Sequence, residues 1–163
     1  MENFNKHYKN FILNNRQNYL KEIVPTTTDE DKILNDIAEK ICGDFDILEV
    51  ENGGMPDGKF LRICKKIKLL CTEFDAIFLI KSRCDIAFLC DADGVYLEQD
   101  DINIHCAREI LGENSLIGIS VYNNKQVHTA VKDGADYIFV HFEIKQNNSI
   151  CIFKNGNPIR KLS

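Results

Sequence analysis

The chain switches repeatedly between two spacings of apolar residues. Ile33, Leu34, Ile37, Ala38 and Ile41 fall on one helical face, and so do Phe60, Ile63, Cys64, Ile67 and Leu70. Short, nearly continuous apolar runs separate such segments: Phe45–Val50, Phe74–Ile80, Ala92–Leu97, Leu116–Ser120 and Ala135–Val140. Runs of this kind predict strands buried on both faces. Helices are predicted over Cys84–Cys90, Ile104–Leu111 and Asn123–Val131. Gly112 and Gly134 follow the last two, where C-terminal glycine caps belong. Thr28 with Asp31 predicts a capping box for the helix that Gly43 ends. Further upstream, Phe4, Tyr8, Phe11, Ile12 and Tyr19 are spaced for a helix that ends by Pro25; Leu20–Val24 suits either its end or a short strand.

Four of the strands open with Phe-Asp or Ala-Asp, at Asp46, Asp75, Asp93 and Asp136, each behind an apolar helix. A carboxylate at a helix-to-strand turn can bond to nearby backbone amides. Strands alternating with helices imply an α/β fold with parallel pairing and right-handed crossovers. About six βα units are expected, as a partial barrel or an open sheet. A single domain over residues 1–163 is expected, with 1–24 as an N-terminal helical extension. The tail, 142–163, reads as irregular, adding at most one strand through a hairpin at Gln146–Asn148. Bare sheet edges predict a homo-oligomer or a partner chain that completes the sheet.

Composition narrows the function classes. The chain is 44% hydrophobic and 28% charged over 163 residues, with a net charge of −5. No basic stripe marks a nucleic-acid partner. No run approaches the roughly 18 apolar residues of a membrane span, and the polar N-terminus lacks a secretory signal. Seven cysteines without a CxxC pair predict reduced, buried thiols, a cytoplasmic location and no zinc site. Lys65, Lys66 and Lys68, interleaved with apolar residues, read as a solvated helix face.

In parallel α/β folds ligands bind beyond the carboxyl ends of the strands. That rim begins with Glu51, Asn52 and Asp57, then Lys81, Ser82 and Arg83. It continues through Glu98, Asp100 and Asp101, then Ser120, Tyr122 and Asn123, and ends at His141 and Glu143. Asp100 and Asp101 offer oxygen ligands for Mg²⁺. Lys81 and Arg83 offer charge for phosphate. Ser120 with a helix N-terminus at Asn123 offers an anion cradle. The same residues also read as ordinary polar loop residues and caps. No GxSxG, P-loop or GxGxxG is present, and no nucleophile–base pair stands out.

The wording of four loops resembles the thiamine-phosphate synthase family and its TenI relatives. Ala92–Asp101, ADGVYLEQDD, is similar to A-D-G-V-H-L-G-Q-E-D. Ile117–Tyr122 is similar to I-G-V-S-x-H, and Gly134–Ile138 to G-A-D-Y-V. Phe78–Ala87, FLIKSRCDIA, is similar to F-I-I-N-D-R-x-D-L-A. The resemblance spans roughly residues 44 to 141 and implies a short TIM-barrel-like scaffold. It implies phosphorylated pyrimidine and thiazole ligands, joined with Mg²⁺ to give thiamine phosphate. It implies Asp101 as a metal ligand and Ser120, Arg83, Lys81 and Ser82 as substrate-binding positions. It also marks departures. Lys81-Ser82 stands where the family has Asn-Asp. The pyrophosphate-gripping Q-x-R-x-K falls on Glu49, Glu51 and Gly53, and the G-P loop falls near His141-Phe142. Its lysine matches nothing secure except Lys145, and the last glycine-rich phosphate loops have no counterpart. The TenI branch, which tautomerises a thiazole, relies on the His of S-x-H; here that residue is Tyr122. The resemblance therefore implies a divergent member with impaired or lost catalysis, or a non-catalytic module that binds a ligand or partner.

Overall fold

The structure is a computed structural model. It describes Leu20–Ile23, residues 25, 27 and 29–41, residues 47–141, Ser149–Lys154 and Asn157–Leu162. The chain forms two compact units, one over Asn18–Gly94 and one taking in Val95–Ser163. The expected N-terminal helix, the Gly43 cap and Asp46 lie outside the described residues.

The first unit runs β1 (Leu20–Ile23), α1 (Glu30–Ile41), β2 (Ile47–Val50), α2 (Asp57–Glu73), β3 (Ile77–Lys81) and α3 (Cys84–Leu89). Its strands pair in parallel, with Ile47 in register with both Leu20 and Ile77. Residues 20–23 are thus a strand. The apolar faces behave as their spacing requires: Ile33, Ile37 and Ile41 of α1 are buried, as are Phe60, Ile63, Cys64, Ile67 and Cys71 of α2. Asp29 accepts from Lys32 N–H at 3.2 Å in the first turn of α1, and Thr28 of the expected capping box lies outside the described residues.

The second unit runs β4 (Gly94–Leu97, from Val95 on), α4 (Ile104–Leu111), β5 (Leu116–Val121), α5 (Asn124–Lys132), β6 (Tyr137–Val140), β7 (Ser149–Lys154) and β8 (Asn157–Leu162). Strands β4 to β8 neighbour one another in that order. β5 and β6 are parallel. β6–β7 and β7–β8 are antiparallel, with a register shift at Ile152/Phe153. The tail is therefore two strands where an irregular segment with at most one was expected. The parallel α/β class is as the spacing predicts. No described helix is long and apolar enough to cross a membrane.

Three helices end on one motif. A residue at positive φ (Asp75, Asp91 or Gly134) is followed by an alanine whose N–H closes the last turn. Ala76 donates to Cys71, Ala92 to Ala87 and Ala135 to Ala130, at 2.8–3.0 Å. This is the six-to-one bond of a Schellman cap. It corrects the phase of the Asp pattern. Asp93 and Asp136 follow the alanine, but Asp75 precedes it and holds the left-handed position itself. Phe74 and Asp75 accordingly belong to the end of α2, and the strand expected from Phe74 begins at Ile77.

Asp93 and Asp136 do bond to backbone. Asp93 Oδ2 accepts from Phe78 N–H of β3 at 2.8 Å, and Lys68 Nζ of α2 lies 2.8 Å from its other oxygen. Asp136 Oδ2 accepts from Ile117 N–H of β5 at 2.9 Å and from Arg108 of α4 at 2.8 Å. Lys68 is therefore a clamp residue, whereas Lys65 and Lys66 keep the exposed face expected of them.

Candidate functional site

In the first unit, the buried strand β3 delivers Lys81 to its carboxyl end, where Nζ lies 3.3 Å from Glu51 Oε2. Ser82 then takes φ +61°, and Arg83 N–H turns back to Lys81 C=O at 2.8 Å. A left-handed serine costs on the order of 1 kcal/mol. Arg83 bonds Asp57 at 2.7 Å and grips Asp85 with two nitrogens, at 2.9 and 2.7 Å. The guanidinium holds both carboxyls below their ordinary range, and they raise Arg83 in turn, Asp85 most. Glu49 is 2% exposed, on β2 in register with Leu79. Gly53 sits at φ +64°, and a Cβ there would lie 2.8 Å from Pro25 C=O. A side chain at that position would be strained by its left-handed backbone and would crowd Pro25 C=O.

In the second unit, β5 places Ser120, fully buried, between two strands. Its Oγ makes a short hydrogen bond with Tyr96 OH of β4 and lies 3.0 Å from His141 Nε2 past β6. Gln99 Nε2 donates to Ser120 C=O. The His141 ring stacks on Tyr122 at 4.6 Å and 13°, with Phe139 4.7 Å away on a tilted plane. Tyr122 OH donates to Glu98 at 3.1 Å. Asn123 caps α5 by accepting from Gln126 N–H at 2.9 Å. The expected anion cradle thus has its serine engaged with a phenol and an imidazole. Sequence reading missed His141 as Ser120's partner because the two lie 21 residues apart; only the parallel pairing of β5 with β6 brings them together.

Asp101 closes a turn, accepting from Glu98 N–H at 2.7 Å through Oδ2, while Asp100 is exposed. A cavity of about 430 Å³ runs along Glu98, Asp101, Asn103, Asn123 and Lys125. Among the described residues no three His, Cys, Asp or Glu side chains converge as a metal cage. The donors present fit a magnesium ion held through one carboxylate and a ligand's own phosphates, and do not fit an ion enclosed by protein alone.

Comparison with known proteins agrees with the loop wording. A family model described as thiamine monophosphate synthase matches residues 20–142. A thiamine-phosphate synthase of Nostoc punctiforme is 34% identical over 114 residues, 70% of this chain and 32% of that protein. One from Prochlorococcus marinus is 39% identical over 69% of this chain and 32% of its own length. Thiamine phosphate pyrophosphorylase from Pyrococcus furiosus superposes with a TM-score of 0.65 at 30% identity, covering 76% of this chain and 60% of that one. The chain thus spans about a third of the length of these two curated relatives.

Proposed function

Because this chain belongs to the thiamine monophosphate synthase family, we propose that it binds the ring ligands of thiamine-phosphate assembly with its pyrophosphate-handling step impaired. The ligands are the hydroxymethylpyrimidine pyrophosphate and the thiazole phosphate. One observation carries the impairment: the two cations available at the end of β3 already face carboxylates. Lys81 pairs with Glu51, and Arg83 with Asp57 and Asp85. A leaving pyrophosphate has to compete with these anions, and Glu49 and Glu51 repel it. In this reading Arg83, Lys81 and Ser82 contact ligand in the first unit; in the second, Asp101 shares Mg²⁺ with ligand phosphates, and Ser120, fully buried, acts only through its bonds to Tyr96 and His141.

Loss of one donor to developing charge typically costs about 10²-fold in rate or more. Purified protein with both ligands and Mg²⁺ is therefore expected to form thiamine phosphate no faster than the protein-free mixture. Calorimetry is expected to detect ligand binding that EDTA weakens. Glu51→Arg together with Ser82→Asp is expected to raise product formation. Rapid product formation by the unmodified chain would overturn the impairment. The buried Glu49 favours a second reading, a ligand-binding member without turnover. Binding by calorimetry, with no product from the unmodified chain or the double variant, identifies it.

A further inference from the structure

We propose that Cys64 and Cys90 are a two-thiol oxidation site, which reduces a small hydroperoxide and closes into a disulfide. The inference is independent of the ligands proposed above and stands on the first unit alone. Cys64 lies inside α2, and Cys90 caps the end of α3. An ion pair ties the two elements together beside them. Lys68, one helical turn after Cys64, lies 2.8 Å from Asp93, three residues after Cys90. The sulfurs meet next to this clamp, where the Cys64 and Cys90 side chains are hydrogen-bonded to each other. Cys90 Sγ also donates to Ala87 C=O at 3.7 Å. Cys64 is fully buried, whereas Cys90 is 4% exposed and has the exposed Leu89 and Asp91 on either side. A bulky thiol reagent is kept out of such a place. Hydrogen peroxide, little larger than water, needs only the edge of the Cys90 sulfur.

The surroundings divide the roles. The bond from Cys64, helped by the Ala92 and Cys90 N–H groups and the Lys68 charge, holds Cys90 below the ordinary thiol range against the opposing effect of burial. The same bond, then burial and the charge on Cys90, push Cys64 up. Cys90 is therefore the attacking sulfur and Cys64 the resolving one. The Cys90 thiolate attacks one peroxide oxygen, forming an S–O bond as the O–O bond breaks. The departing oxygen leaves as water or an alcohol, carrying the proton that Cys90 gave up. Cys90 is then a sulfenic acid. The Cys64 sulfur attacks it, forming the S–S bond and expelling hydroxide, which leaves as water with the Cys64 proton. The two thiols lose two electrons and the hydroperoxide gains them. Cys71, two turns after Cys64 on α2, is an internal contrast. Burial, then the Asp93 charge, pushes it up to about 12, so it has little thiolate character and is expected to stay reduced.

The test is a thiol map of the intact chain. Folded protein freed of reductant is treated with a small molar excess of hydrogen peroxide. Remaining thiols are alkylated in denaturant, and the peptides are read by mass spectrometry. Trypsin cuts between Cys64 and Cys71, at Lys65 and Lys68; chymotrypsin cuts between Cys84 and Cys90, and again before Cys106. The expected product is a peptide joining Cys64 to Cys90, lighter by two hydrogens than its two halves, and returned to free thiols by dithiothreitol. Cys64→Ala is expected to stop at a sulfenic acid on Cys90, which dimedone traps. Cys90→Ala is expected to leave Cys64 reduced. Should either variant fail to fold, the map of the unmodified chain decides alone. Cys64 and Cys90 both still open to alkylation after peroxide overturns the proposal. So does a disulfide from either of them to a different cysteine, or a Cys64–Cys90 bond that forms only when peroxide is added to the denatured chain.

Discussion

At the scale of single residues, Gly118 shows why a motif position holds what it does. A Cβ built on Gly118 would lie 1.9 Å from the Tyr137 ring, its in-register neighbour on β6. That ring stacks on Tyr96 at 6.4 Å, and Tyr96 carries the bond to Ser120. Gly118→Ala must push Tyr137 aside. Such overpacking costs about 1–3 kcal/mol, read as a lower urea midpoint at unchanged slope, and it is expected to shift the His141 ring resonances. Arg83 gives a pH prediction. Asp57 and Asp85 are depressed below their ordinary 3.8 by the guanidinium. Depressed acids contribute stability above the unfolded value and lose it as pH falls below about 3.8 through the folded value. Carboxyl NMR titration should find both midpoints low, and Arg83→Gln should return them to the usual range. Ordinary midpoints in the unmodified chain would refute the pairing.

At the scale of elements, the helix-to-strand turn is the recurrent unit, and its chemistry is local. Asp93→Ala strands Phe78 N–H and leaves Lys68, 21% exposed, without its carboxylate. Asp136→Ala does the same to Ile117 N–H and Arg108. Charge-assisted bonds of this kind contribute about 1.5–3 kcal/mol each, so each substitution is expected to lower unfolding free energy by about 2 kcal/mol. The same loss from Lys68→Ala and Asp93→Ala together as from Asp93→Ala alone would show that the pair acts as one device. Much of this scale was legible in advance. α4 occupies Ile104–Leu111 with Gly112 at its end, as the spacing predicts, because a cap and an apolar stripe agree there. β3 begins three residues later than the apolar run predicts, because Phe74 is apolar yet 43% exposed at the end of α2. The different phase of Asp75 has no sequence signal, because a left-handed φ shows only as tolerance for Asp and Gly. The rim residues were legible as polar positions after strands. Their partners were not, since Arg83–Asp57 and Ser120–His141 are contacts across 26 and 21 residues.

At the scale of the whole molecule, the described cysteines agree with a reduced interior. Cys64, Cys71, Cys84 and Cys90 are free and buried, and Cys106 is half-buried. Burial, then the charge of Asp93, pushes Cys71 up to about 12, with Lys68 opposing. A raised thiol keeps its full contribution below its ordinary value and loses it as pH rises past about 9 toward 12. Under native conditions Ellman's reagent is expected to modify Cys106 first among these five, with the other four reacting only at the rate of opening. Fast modification of all five would contradict the packing. Among the described strands, β1 pairs with β2 alone and β8 with β7 alone. Bare edges pair with other chains, so sedimentation is expected to give a mass above the 18.7 kDa of one chain. A single species at that mass would refute the expectation.

The left-handed residue, alanine and aspartate that close one helix and brace the strand before it reach no further than 28 residues along the chain. The contacts that define such a turn all fall inside one short block of sequence. In genetic terms it is a cassette: a stretch of gene from one such turn to the next can be duplicated, excised or transplanted while its internal instructions stay whole. The rim residues obey no such rule, since nothing in the turn specifies them. Inheritance can therefore preserve the frame while the residues at the strand ends are free to change, so Glu51, Ser82 and His141 answer to the ligand and not to the turn.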